Sequence, residues 1–188
     1  MILYIHGFGG TGLGVKASIF REHYKDKDFI APSLSYVPDL AIATLEEMID
    51  QFMNRDNKSV ELMGSSLGGY YAIYLSNKYN IPSVLINPST NPTYTLDSSK
   101  VGGLNYYDQS NFEWNSGHVD MLKKYEVKEP KSKLHLLLTQ KGDETLDYSK
   151  AVEKLEGAKM IIEEGGSHSF EAIEQHFQLI EDFFSSFR

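Results

Sequence analysis

The sequence predicts an α/β fold, a mostly parallel sheet of about six strands with helices on both faces. Six short apolar runs alternate with helical stretches along the chain. A length of 188 residues suits one domain, 1–188, with a single sizeable core.

The apolar runs are Ile2–Ile5, Phe29–Ala31, Val60–Met63, Val84–Ile86, Leu134–Leu138 and Met160–Ile162. Helical stretches include Leu40–Phe52, Leu67–Tyr79 and Tyr148–Leu155, with Phe170–Phe187 after the last strand. In the first of these, Leu45, Met48, Ile49 and Phe52 recur at helical spacing, as an amphipathic face requires. The rhythm breaks after the fourth strand. From about residue 90 to 129, Gly, Asn, Ser, Tyr and Trp114 fill a segment too long for an ordinary connection, expected to be a cap-like insertion over the site.

Charge and composition remove several function classes. Lys and Arg number 18 against 26 Asp and Glu, a net charge of -8 that repels nucleic-acid phosphates and anionic lipid surfaces. The chain has no cysteine, which excludes disulfides, thiolate metal sites and thiol nucleophiles. The run Ile2–Ile5 before His6 is only four residues long, and no run approaches the roughly 20 residues of a membrane span. The expectation is a cytoplasmic protein with a small-molecule partner, no nucleic acid and no membrane insertion.

The strongest local motif is Gly64-Ser65-Ser66-Leu67-Gly68, of the form G-x-S-x-G. Alone the pentapeptide is a weak signal. Its position between an apolar run ending at Met63 and a helical stretch from Leu67 is the context in which a tight turn lifts a nucleophilic serine above a sheet edge.

A serine hydroxyl needs a base to take its proton. Of the six histidines, His168 follows the last predicted strand in Glu164-Gly165-Gly166-Ser167-His168, where a glycine loop can carry an imidazole over the serine. His6 ends the first strand, His23 and His176 fall in helical stretches, His135 lies within a strand and His118 within the insertion. The base in turn needs a carboxylate on its other nitrogen. Asp143 follows the fifth strand, with Glu144 and Asp147 as nearby rivals, and the order serine, acid, histidine favours it. Two backbone N–H groups should complete the site, from Leu67 after the serine and Phe8 in the glycine-rich loop after the first strand.

That loop has a rival reading, because Gly7-Phe8-Gly9-Gly10-Thr11-Gly12 is a literal G-x-G-x-x-G. A dinucleotide site requires an acid at the end of the next strand, yet Phe29-Ile30-Ala31 runs into Pro32 and Ser33. A P-loop fails as well, because Val15 stands where its lysine belongs.

Taken together, these motifs resemble the YqiA-like small bacterial esterases of the α/β-hydrolase superfamily. The resemblance rests on Tyr4-Ile5-His6-Gly7-Phe8, Lys16-Ala17-Ser18, Gly64 to Tyr71, Asn87-Pro88, Gly142-Asp143-Glu144 with Leu146-Asp147-Tyr148, and Glu164 to His168. It implies an α/β-hydrolase fold and Ser66, Asp143 and His168 as the catalytic triad. The segment from Thr90 to Lys128 resembles the family least.

The expected activity is hydrolysis of carboxylic esters through an acyl-enzyme, with no cofactor and no metal. An acyl-CoA thioesterase with the same triad is the alternative within this chemistry, in which Lys16 holds an anionic group unless it is a solvated helix lysine. A catalytically inactive binding protein on the same scaffold is the alternative outside it. Tyr70, Tyr71, Phe112 and Trp114 are candidates to line an apolar pocket, with burial in the core as the competing role.

Overall fold

The computed structural model describes residues 1–188. Its main sheet contains β1 (Ile2–Ile5), β2 (Phe29–Ile30), β3 (Glu61–Ser65) and β4 (Ser83–Ile86). A two-stranded hairpin, β5 (Gly103–Leu104) and β6 (Asn111–Phe112), interrupts the series before β7 (His135–Gln140) and β8 (Lys159–Glu163) complete the main sheet. The order is β2-β1-β3-β4-β7-β8, parallel throughout.

Strand periodicity divides the apolar side chains between two cores. Ile2, Tyr4, Val84, Ile86, Leu136 and Leu138 point to one face, where they meet Ala17 and Phe20 of α1 (Val15–His23) and Ile180, Phe183 and Phe184 of α7 (Phe177–Ser185). Leu3, Ile5, Leu85 and Leu137 point to the other. There they meet α2 (Pro38–Asp50), α3 (Leu67–Tyr79) and α6 (Tyr148–Lys154), through residues such as Leu45, Leu75 and Ala151. Burial on both faces explains why the strands read as continuous apolar runs.

The segment after β4 contains α4 (Pro92–Thr95), the β5–β6 hairpin and α5 (Ser116–Leu122). The sequence offers no clear pattern there because each element is too short to show a period. No helix of the molecule is long and apolar enough to cross a membrane.

Element ends differ from the sequence expectation in two informative places. The helix expected over Phe170–Phe187 begins only at Phe177, after a 3-10 turn at Ile173–His176. Phe170 and Ala172 adopt positive φ of 59° and 54°, and both backbone polar groups of Glu171 bind the Gln140 side chain, so they are unavailable to a helix. The helix expected over Leu40–Phe52 instead spans Pro38–Asp50 and runs into a π turn at Gln51–Arg55.

His135 is fully buried in β7, with Nδ1 paired to the Ser83 hydroxyl at 2.8 Å and Nε2 facing the Asn77 amide at 3.3 Å. Burial depresses its pKa to about 4, because no carboxylate is present to stabilise the imidazolium. As pH falls below the ordinary histidine range the unfolded chain takes up a proton that the folded chain refuses, so stability is lost between about pH 6.5 and 4. The expected loss is on the order of 3 kcal/mol, and urea unfolding across that range should show a shallower pH slope in His135→Gln than in the parent protein.

Candidate active site

Order reversal locates the crevice. From β1 the chain moves outward to β2, then crosses back over β1 to β3 and continues through β4, β7 and β8. The carboxyl ends of β1 and β3 therefore flank the point where the connections diverge, the place an open parallel sheet offers a ligand.

Ser66 occupies that point. It joins β3 to α3 with φ 55° and ψ −123°, a conformation costing on the order of 1–3 kcal/mol in a non-glycine residue. The surroundings hold it there. The Ser66 N–H donates to the Ile86 carbonyl at 3.2 Å, and its own carbonyl accepts from Gly69 at 2.9 Å and Ser89 at 3.0 Å. A β-carbon at Gly64 would overlap the Gly68 carbonyl, and one at Gly68 would overlap the Ile5 carbonyl. Both glycines are required because α3 starts in contact with two strands.

His168 arrives from the loop after β8, and its Nε2 stands 3.1 Å from Ser66 Oγ. Nδ1 lies 2.8 Å from Oδ2 and 3.0 Å from Oδ1 of Asp143. Asp143 is almost fully buried, at 2% side-chain exposure, and Oδ1 also accepts from the N–H groups of Thr145 and Leu146, each at 2.8 Å. Burial by itself raises the Asp143 carboxyl, but the bonds from His168, Leu146 and Thr145 outweigh it and hold the group below the ordinary carboxylate range. Asp143 therefore faces His168 as an anion.

The two rival acids have other partners. Glu144 accepts from the His168 backbone N–H at 3.0 Å, and Asp147 caps α6 by accepting from Ser149 N–H at 2.9 Å.

A polar brace fixes the histidine loop, and sequence reading assigned it no role. Gln140, buried at the end of β7, accepts from the N–H groups of Ser167 and Glu171 and donates to the Glu171 carbonyl and the Glu163 carboxylate. Asn87, at the end of β4, donates to the carbonyls of Ser167 and His168 while accepting from Thr139 Oγ1 and Gln140 N–H. The available signals were the Asn87-Pro88 pair, which entered only through the family resemblance, and a glutamine at a strand end, too common to single out.

Across the crevice, the loop after β1 approaches Ser66 so closely that a β-carbon at Gly7 would stand 3.0 Å from Ser66 Cβ. The Phe8 N–H donates to no acceptor within the chain, and Leu67 is the first residue of α3, where N–H groups lack helical partners. His6 staples this loop: Nδ1–H donates to the Gly7 carbonyl at 2.8 Å and Nε2 accepts from Leu34 N–H at 2.9 Å. Burial lowers its pKa, partly countered by the Gly7 bond, which keeps the ring neutral for this double role.

A cavity of about 580 Å³ opens in front of Ser66 and His168, walled by α1, the glycine loop and Thr95, Leu96, Val101 and Tyr106 from the segment after β4. Lys16 lies in it and is not a solvated helix lysine. Its ammonium donates to Ser65 Oγ at 2.8 Å, and burial presses its pKa down to about 8 against the attraction of Asp143.

The aromatic candidates fall elsewhere. Tyr70 is buried, with its hydroxyl donating to the Leu122 carbonyl at 2.8 Å. Trp114 is also buried, donates to the Leu96 carbonyl at 2.8 Å and meets the Phe8 ring edge-on at 4.8 Å. Tyr71 and Phe112 line a smaller neighbouring hollow beside Phe8 and Leu67. Tyr70 and Tyr71 belong to the core in which α3 packs, and Trp114 anchors the inserted segment.

Comparison with known proteins adds an independent line. The family model described as "Uncharacterised protein family (UPF0227)" matches residues 1–185. A UPF0227 protein of Vibrio parahaemolyticus is 27% identical, covering 97% of this chain and 98% of the relative. A UPF0227 protein of Shewanella sediminis is 33% identical over a stretch covering 49% of this chain and 52% of its own. Among solved structures, mouse alpha/beta hydrolase domain-containing protein 10 superposes with a TM-score of 0.74 at 15% identity, covering 100% of this chain and 90% of that one. Est1E from Butyrivibrio proteoclasticus, with ferulic acid bound, superposes at 0.72 with 14% identity, covering 99% and 87%.

Replacing Gln140 by Leu removes the acceptor for two amides of the histidine loop. The expected cost is about 2–4 kcal/mol in chemical denaturation, with faster hydrogen exchange confined mainly to residues 165–171. Unchanged exchange there would show that the loop does not depend on this brace.

Proposed function

The chain belongs to the uncharacterised protein family UPF0227 and has the α/β-hydrolase fold, and from that premise we propose that it is a serine hydrolase cleaving carboxylic esters through an acyl-enzyme. The observation that carries the reading is the hydrogen-bonded relay from Ser66 Oγ through His168 to the buried Asp143 carboxylate.

In this mechanism Ser66 attacks the ester carbonyl while His168 Nε2 accepts its proton. Asp143 keeps the His168 proton on Nδ1 and stabilises the imidazolium. The Phe8 and Leu67 N–H groups receive the developing oxyanion, at positions held before substrate arrives by the His6 staple and the start of α3. His168 then protonates the departing alcohol, and a water activated by the same imidazole releases the acid. The buried acid, the braced histidine and the strained serine form a costly arrangement that a binding protein on this scaffold would not need.

A fluorophosphonate should label Ser66 covalently, and Ser66→Ala should abolish both labelling and ester hydrolysis. Labelling that persists in that variant overturns the assignment. Asp143→Asn should lower kcat by about three to four orders of magnitude, because the amide favours the wrong imidazole tautomer. Matched oxygen and sulfur esters of one acyl chain separate esterase from acyl-CoA thioesterase preference.

A further inference from the structure

We propose that Lys16 forms an anion subsite within the substrate cavity and that the substrate is a carboxylate-bearing ester, a monoester of a dicarboxylic acid. The inference rests on the serine-hydrolase reading and names its substrate class.

Lys16 is out of place as a purely structural residue. Its ammonium lies in the cavity that holds Ser66 and His168, bonded to the hydroxyl of Ser65, the neighbour of the nucleophile. No carboxylate of the chain pairs with it, while Asp143, whose charge acts on it, is engaged by His168. No side chain caps Gly14 at the start of α1, and the first turn of that helix carries no acid. A partly desolvated charge without a counter-ion is costly, and a neutral donor would serve Ser65 as well. An ammonium has three donors, of which Ser65 takes one. The remaining two are available to an anion in the cavity.

The neighbours narrow the class of anion. Val15, Ile19, Phe170 and Ile173 make the adjoining wall apolar, suited to a methylene chain. One lysine balances one negative charge. A phosphate dianion would leave excess negative charge near Asp143 in a chain already at -8. Because the same cavity holds the serine, the anion and the scissile carbonyl belong to one molecule. Hydrolysis of monoethyl adipate, for example, breaks the acyl C–O bond, forms another from water, and yields adipate, ethanol and one proton.

The test compares monoethyl adipate with ethyl hexanoate, which shares the six-carbon acyl chain. The parent protein should prefer the carboxylate ester by at least about tenfold in kcat/KM, as a charge-assisted bond allows. In Lys16→Met the loss for monoethyl adipate should exceed the loss for ethyl hexanoate by at least about tenfold, through KM, with partial recovery in Lys16→Arg. Equal losses for both esters, or a preference that survives Lys16→Met, overturns the subsite. Faster turnover of ethyl 5-phosphonopentanoate, which carries a phosphonate in place of the distal carboxylate on the same four methylenes, overturns the carboxylate assignment. Calorimetric titration of adipate into Ser66→Ala, with and without Lys16→Met, reads the subsite without catalysis. If the parent protein neither hydrolyses esters nor reacts with a fluorophosphonate while adipate binding still depends on Lys16, the hydrolase reading falls and the anion subsite stands. Absence of such binding sinks the subsite alone.

Discussion

The site depends on a single close approach of backbone to backbone. Where β3 turns into α3, the helix begins in contact with the carbonyl of Ile5 on one side and the turn after β4 on the other. Only residues without a β-carbon fit at Gly64 and Gly68, and the compression forces Ser66 to positive φ. The strain is stored at the one residue whose hydroxyl must stand clear of the sheet. Four bonds to its backbone groups, from Ile86 of β4, Gly69 and Tyr70 of α3 and Ser89 after β4, keep it from relaxing.

From that fixed point the remaining groups are placed by strand ends rather than by long-range packing. β7 supplies Asp143 and the Gln140 brace, β4 supplies Asn87, and the loop beyond β8 supplies His168. Glu163 closes the circuit by accepting from Gln140 while pairing with His176 at 2.9 Å, which ties the histidine loop to the turn before α7. A loop containing Gly165 and Gly166, both at positive φ, would be mobile on its own. Here its polar groups are taken up one by one, so the imidazole is held in place while the chain around it remains a loop.

Sequence reading anticipated the sheet, the serine turn and the three side chains that lie together at the crevice, because each has a local signature. Apolar runs announced the strands, flanking glycines announced the turn, and strand-end position singled out Asp143 and His168. What escaped it depends on neighbours distant in sequence. For Lys16 the sequence left an anion-holding role and a solvated helix lysine both open, until α1 is seen lying over the end of β3, 49 residues away. Gln140 and Asn87 are ordinary amides until their partners after β8 are known. For Trp114 a pocket role and a core role both stood open, because nothing in its own segment shows that its indole N–H is committed to Leu96.

The Phe8 ring is held edge-on by Phe112 at 5.4 Å and by Trp114 at 4.8 Å, both from the segment that also walls the substrate cavity. Phe112 in turn stacks on Tyr36 at 4.6 Å. The inserted segment is thus mechanically joined to the peptide that, on the proposed chemistry, would receive the reacting oxygen. On the proposed chemistry, selectivity and turnover are coupled through one ring: a substitution that reshapes this roof also disturbs the aim of the oxyanion donor.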